Sequence, residues 1–204
     1  MVVKRRNRLL SIESICDAAL VCIDESGRLT MAELAARLGA SPSSVYHHLP
    51  GRGAIIEALR ERVGATIDSP AVDDPDWMGA ISGWMRAYRQ AMAAHPNLIP
   101  LLIAQPMTSE AGLRSYDRVA GLLAGAGVAD ADIVPWITAL DSFALGSALD
   151  LTAPDQPWVV ADRADLPALG AAVTAGPAGR RRADTAFELG LAALLAGMSG
   201  SAAG

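Results

Sequence analysis

The chain is predicted to be all-α, and three features predict it. Ala, Leu, Gly and Val carry most of the apolar mass while aromatic residues make up only 4%, a balance that suits close-packed helices better than β-branched, aromatic-rich strands. Apolar residues recur at intervals of three and four, which places them on one helical face. Capping residues bracket those periodic runs. With 204 residues and 51% hydrophobic content, the chain has room for a small domain beside a larger one. The expected organisation is a three-helix head at residues 1–66 and a helical bundle at residues 67–204.

Leu9, Ile12, Ile15, Ala19, Cys22 and Ile23 form the first stripe, and Gly27 stands where a C-cap belongs. Thr30 opens the second helix with Glu33 three residues on, the spacing of a capping box, and Met31, Leu34, Ala35 and Leu38 share a face until Gly39. A third short helix starts at once. Ser41 suits its N-cap and Pro42 its first helical position, and it runs to about Leu49 before Pro50 and Gly51. A fourth, from about Arg52 to Thr66, carries Ile55, Ile56, Leu59 and Val63. It is the sole continuous element expected to join head and bundle, because "IDSPAVDDPD" at 67–76 reads as a proline-punctuated connector.

A helical wheel gives the third helix two sides. Counting from Pro42, Val45 and Leu49 fall at roughly 300° and 340°, whereas Ser43, His47, Ser44 and His48 fill the arc from roughly 100° to 240° and Tyr46 lies at the edge, near roughly 40°. Val45 and Leu49 should be buried, leaving a face of hydroxyls and imidazoles that donate and accept hydrogen bonds. The major groove of DNA accepts such a face, with the second helix crossing the backbone as in a helix-turn-helix. Charge agrees: residues 1–63 carry a net +2 and residues 64–204 a net −7. Lys4, Arg5, Arg6 and Arg8 form a run without nearby acids, suited to a solvated tail or to an arm reaching phosphates.

"LTMAELAARLGASPSSVYHHLPGR", residues 29–52, resembles the DNA-binding region of the TetR family of transcriptional regulators. The shared features are the Thr cap, the Leu-Ala pair, the Leu-Gly turn, the Ser-x-x-x-Val-Tyr-x-His core and a basic residue opening the next helix, here Arg52 where Lys is usual. The resemblance implies that Pro42, Ser43, Ser44 and His47 lie near bases and that Thr30, Tyr46, His48 and Arg52 lie near phosphates of an operator duplex. "WMRAYRQAMAAHPNLIPLL", "ITALDSFALGSALD" and "FELGLAALLAGM" are similar to the C-terminal domain of the tetracycline-repressor class, implying an effector-binding bundle whose last long helices pair in a homodimer. Gly146, Ser147, Ala148, Gly190, Ala192, Ala193 and Ala196 would permit close helix contact within one subunit or between two.

Among the large apolar residues of the C-terminal helices, Trp84, Tyr88, Leu102, Met107 and Phe143 are the candidate contacts of a small effector. In the register of the tetracycline repressor, the positions of its drug and magnesium ligands fall on residues without imidazoles, so the resemblance implies a mainly apolar ligand and no metal. Adjacent His47 and His48 diverge on a helix and His95 stands alone; no H-x-x-x-H, G-x-G-x-x-G or Walker A lysine occurs, so neither an enzyme nor a cofactor is expected. Cys16 and Cys22 suit small core residues. Charges and prolines interrupt every apolar stretch before roughly 18 residues, and Glu13 and Asp17 break any signal sequence, so no membrane span and a cytoplasmic location are expected. A ligand-responsive repressor is the leading reading. The rival is a helical protein-interaction module, whose binding would not fall steeply with salt.

Overall fold

The computed structural model describes residues 10–202, which form ten α-helices and no strand. They fall into two compact units. The first contains the described residues up to Thr66 together with Asn97–Leu113, and the second contains Ile67–Pro96 and the residues from Arg114 onward. A single cut at residue 66 would leave Asn97–Leu113 in the second unit, so α4 is not the sole passage between them.

In the first unit, α1 (Ile12–Ser26) opens with a capping box made of two serines: Ser11 Oγ accepts from Ser14 N at 3.2 Å, and Ser14 Oγ accepts from Ser11 N at 2.9 Å. α2 (Met31–Leu38) starts on Thr30, whose Oγ1 accepts from Glu33 N at 3.3 Å. It stops at Gly39, whose φ of 64° is strained for any residue with a Cβ. This makes the tight turn into α3 (Pro42–His48), capped by Ser41. α4 (Arg52–Gly64) follows without a side-chain cap. Ile15, Ile23, Leu34, Val45, Ile55, Ile56 and Leu59 are fully buried, each contributing about 1.5–3 kcal/mol of apolar burial. Cys16 and Cys22 are buried with them, and burial pushes both thiols up.

The polar face of α4 explains why Asn97–Leu113 belongs to this unit. α6 (Ile99–Ile103) packs on α4, and Arg60 Nη2 donates to Leu102 O at 2.6 Å. Glu57 Oε2 accepts from Thr108 N, Thr108 Oγ1 and Ser109 N at 2.9, 2.9 and 3.0 Å, and Glu61 Oε2 accepts from Ser109 Oγ and Ala111 N at 2.6 and 2.9 Å. Two carboxylates thus satisfy the free N–H groups where α7 (Glu110–Gly125) begins.

The second unit contains α5 (Trp77–Ala93), most of α7, α8 (Asp130–Asp150), α9 (Pro167–Ala175) and α10 (Gly179–Ala202). α5 and α10 both pack on α8, around Ile81, Met85, Val119, Leu123, Leu140, Phe187 and Leu191. The small residues of α10 divide by role. A Cβ at Gly190 would come within 2.5 Å of the Phe143 ring, and one at Gly197 within 2.9 Å of Trp136, so these glycines admit α8 rings of the same chain. Ala192, Ala193 and Ala196 face solvent.

Candidate functional site

Val45 and Leu49 are 0% and 9% exposed, and they anchor α3 so that Pro42, Ser43, Ser44, Tyr46, His47 and His48 are all exposed. Ser41 Oγ lies 2.8 Å from both Ser43 Oγ and Ser44 Oγ, linking the hydroxyls of the first turn into one set with lone pairs to spare. The His47 and His48 rings are 6.0 Å apart with planes at 81°, so they address different directions. Arg52 Nε donates to Leu29 O at 3.2 Å, which ties the start of α4 to the segment before α2. Its remaining guanidinium N–H groups make no ion pair among the described residues, whereas Arg37 and Arg62 are engaged by Glu25 and Asp17. Thr30 is exposed with its hydroxyl oxygen engaged as the α2 cap. Lys4, Arg5 and Arg6 lie outside the described residues.

Leu102 and Met107 belong to the first unit, and Trp84, Tyr88 and Phe143 to the second. Trp84 is buried, stacks on Tyr88 with ring centroids 5.4 Å apart, meets Tyr116 edge-on at 5.8 Å, and donates from Nε1 to Ser115 Oγ at 2.8 Å. Asp141 Oδ1 accepts from both the Tyr88 and Tyr116 phenols, at 2.6 and 2.5 Å. Burial, then the neighbouring Tyr116 and Asp141, push the Tyr88 phenol far above its usual range, so it serves as a donor. Phe143 stacks on Phe187 and lines a groove of about 270 Å³ with Ser142, Gly146, Ser147 and Ala183. Among the described residues, no three His, Cys, Asp or Glu side chains gather to hold a metal ion.

Residues 69–201 match the family described as Tetracyclin repressor-like, C-terminal domain. The chain belongs to the tetracycline repressor family. Tetracycline repressor protein class A from transposon 1721 of Escherichia coli is 30% identical over 93% of this chain and 91% of its own length. The HTH-type transcriptional repressor DrrR1 of Streptomyces coeruleorubidus is 26% identical over 68% of this chain, and the match spans about half, 53%, of that relative. Apo ActR from Streptomyces coelicolor shares the fold at a TM-score of 0.78, with 22% identity over 95% of this chain and 97% of ActR.

Hydrogen bonds in this tetracycline repressor family member place the residues that sequence reading missed. Tyr116 and Asp141 join Tyr88 in one hydrogen-bonded group, and Glu57, Arg60 and Glu61 fasten the segment bearing Leu102 and Met107. A signal for Asp141 was present: it is the one charged residue between Asp132 and Asp150 in an otherwise apolar helix. Glu57 and Glu61 gave none, since an i, i+4 carboxylate pair reads as a solvated helix face until the chain returns to meet it. None of the described helices is long and apolar enough to cross a membrane.

Proposed function

We propose that the protein is a ligand-responsive transcriptional repressor that binds a palindromic operator as a homodimer and releases it when a small, mainly apolar effector binds. The observation that carries this reading is the exposed Ser43, Ser44, His47 and His48 face of α3, held outward by buried Val45 and Leu49, in a chain whose relatives are named repressors. In this proposal Pro42, Ser43, Ser44 and His47 address bases, and Thr30, Tyr46, His48 and Arg52 address phosphates, with Lys4, Arg5 and Arg6 as an arm. The protein acts by binding rather than catalysis, in the cytoplasm with its DNA. Subunit pairing is supported by a row of exposed small and apolar residues on α10, Leu189, Ala192, Ala193 and Ala196, with Val134 and Leu149 exposed on α8.

For the effector, Trp84, Tyr88 and Phe143 are the proposed contacts, with Tyr116 and Asp141 supplying the polar group. Leu102 and Met107, proposed contacts as well, lie in the segment that α4 holds through Glu57, Arg60 and Glu61. Displacing that segment would pull on α4, the helix whose first residue, Arg52, is tied to the segment before α2. The test is duplex binding across a salt series. Affinity should fall steeply as salt rises, about as the number of phosphates contacted; salt-independent retention would contradict DNA as the partner.

A further inference from the structure

We infer that the effector is a monocation, a mainly apolar aromatic molecule whose single protonated amine pairs with Asp141 beside the Tyr88 and Tyr116 rings. The inference rests on the effector reading of this region and names the chemical class that fits it. Every residue that carries it lies in the second unit. The arginines that α5 and α10 bring into that unit are matched: Arg86 pairs with Glu188, Arg89 with Asp184 and Arg182 with Asp150, at 2.6, 2.7 and 2.8 Å. Asp141 pairs with no cation among the described residues. Its Oδ1 accepts from the Tyr88 and Tyr116 phenols at 2.6 and 2.5 Å, which uses both lone pairs of that oxygen. Asp141 is only partly buried, which leaves Oδ2 as the acceptor for a ligand. Drawing a charge partly out of water without an opposite charge beside it is unfavourable, so an unmatched carboxylate in an effector region points to where the ligand carries its charge.

The class of ligand follows from that charge and from what surrounds it. A ligand hydroxyl would donate to Oδ2 but leave the charge unmatched, and a ligand carboxylate would be repelled. An ammonium both donates and neutralises, and a hydrogen bond between charged groups is roughly twice as strong as a neutral one. The Tyr88 and Tyr116 rings, both partly exposed, add aromatic surface that attracts a cation. Apolar surface adjoins them: Ile137 lies one turn before Asp141 on α8 and Ala120 one turn after Tyr116 on α7, both packed against the core and only partly buried. One carboxylate among aromatic and aliphatic groups fits a single positive charge on an apolar body.

Isothermal titration of the full chain with 2-naphthylmethylamine, 2-naphthalenemethanol and 2-naphthoate compares probes of similar size that differ in charge. We expect the amine to bind the wild type about tenfold more tightly than the alcohol, the worth of one charge-assisted hydrogen bond, and 2-naphthoate to bind more weakly than either. Asp141→Asn keeps an oxygen that accepts from both phenols and removes the charge. It should leave circular dichroism and thermal unfolding unchanged while bringing the amine down to the affinity of the alcohol. Asp132→Asn, at an exposed position on the same helix, should leave the amine affinity unchanged. No binding of the amine, or equal affinity of amine and alcohol for the wild type, overturns the cation without need of a variant. Amine binding that survives Asp141→Asn undiminished, or that falls as much with Asp132→Asn, overturns it too. Tyr88→Ala separates these outcomes from a failure of the effector reading. It should weaken amine and alcohol alike, and if it weakens neither, the probes bind elsewhere and both the class and the effector region are overturned.

Discussion

His47 and Arg52 offer DNA different things. In the proposed interface His47 would bring two ring nitrogens to a base edge, whereas Arg52 would bring charge from a helix start braced on Leu29 O. His47→Ala should therefore cost about 1–3 kcal/mol at one base position and relax preference there, while Arg52→Ala should weaken all duplexes alike and flatten the salt slope by about one. Anisotropy titrations over a panel of duplexes would check this; identical behaviour of the two variants contradicts the division. Tyr88 allows a second test, through the bond its phenol donates to Asp141. Tyr88→Ala should bind operator as the wild type does yet fail to release it with an inducer found by thermal-shift screening of the wild type. Equal release from labelled operator complexes would remove Tyr88 from the effector site. The α3 face was legible in the sequence because a seven-residue helix with two apolar anchors has one way to lie. The Tyr88, Tyr116 and Asp141 group was not, since it joins three helices distant in sequence.

α4 is the element whose chemistry the sequence concealed most. Its apolar stripe of Ile55, Ile56, Leu59 and Val63 is buried as the periodicity predicts, while its polar face holds the start of α7. Desolvation pushes Glu57 up, but the Thr108 N–H, Arg60 and the Thr108 hydroxyl outweigh it and hold the carboxyl below its usual value. A depressed carboxyl pKa stabilises the fold above the unfolded value near pH 4.5, and that contribution is lost as pH falls through the folded pKa. Glu57→Gln should thus cost about 1–2 kcal/mol at pH 7 and flatten the acid side of a stability profile measured by urea unfolding; an unchanged acid limb contradicts the role given to Glu57. α10 admits a cleaner test than its glycines do, because substituting Gly190 would disturb Phe143 in the same chain. Ala193→Glu, at an exposed position, should leave the fold intact and weaken the dimer by about two to four orders of magnitude, as a charge buried unpaired costs about 3–5 kcal/mol. Light scattering would show monomers; a full dimer moves the interface elsewhere. α2, α3 and the C-terminal end of α1 were legible to within a residue or two because caps announce them, unlike the start of α1, for which no cap was foreseen, and the return of Asn97–Leu113, which rests on tertiary hydrogen bonds.

For the molecule as a whole, the proposed repressor requires operator and effector to oppose each other by the same factor in both directions. A coupling of about 1–3 kcal/mol means that operator DNA lowers effector affinity by as much as effector lowers operator affinity. A ligand that tightens operator binding would instead be a corepressor and reverse the sign. In the proposed dimer two copies of α3 would meet successive major grooves, about 34 Å apart, so the preferred site should be a short palindrome. The most direct measurement is selection of bound duplexes from a random-sequence library by wild type and by His47→Ala. The account predicts that the wild type enriches a palindrome whose half-sites are centred about one helical turn apart, and that His47→Ala enriches the same spacing with one position per half-site relaxed. Enrichment of a single unsymmetrical half-site, or of no sequence at all, would contradict it.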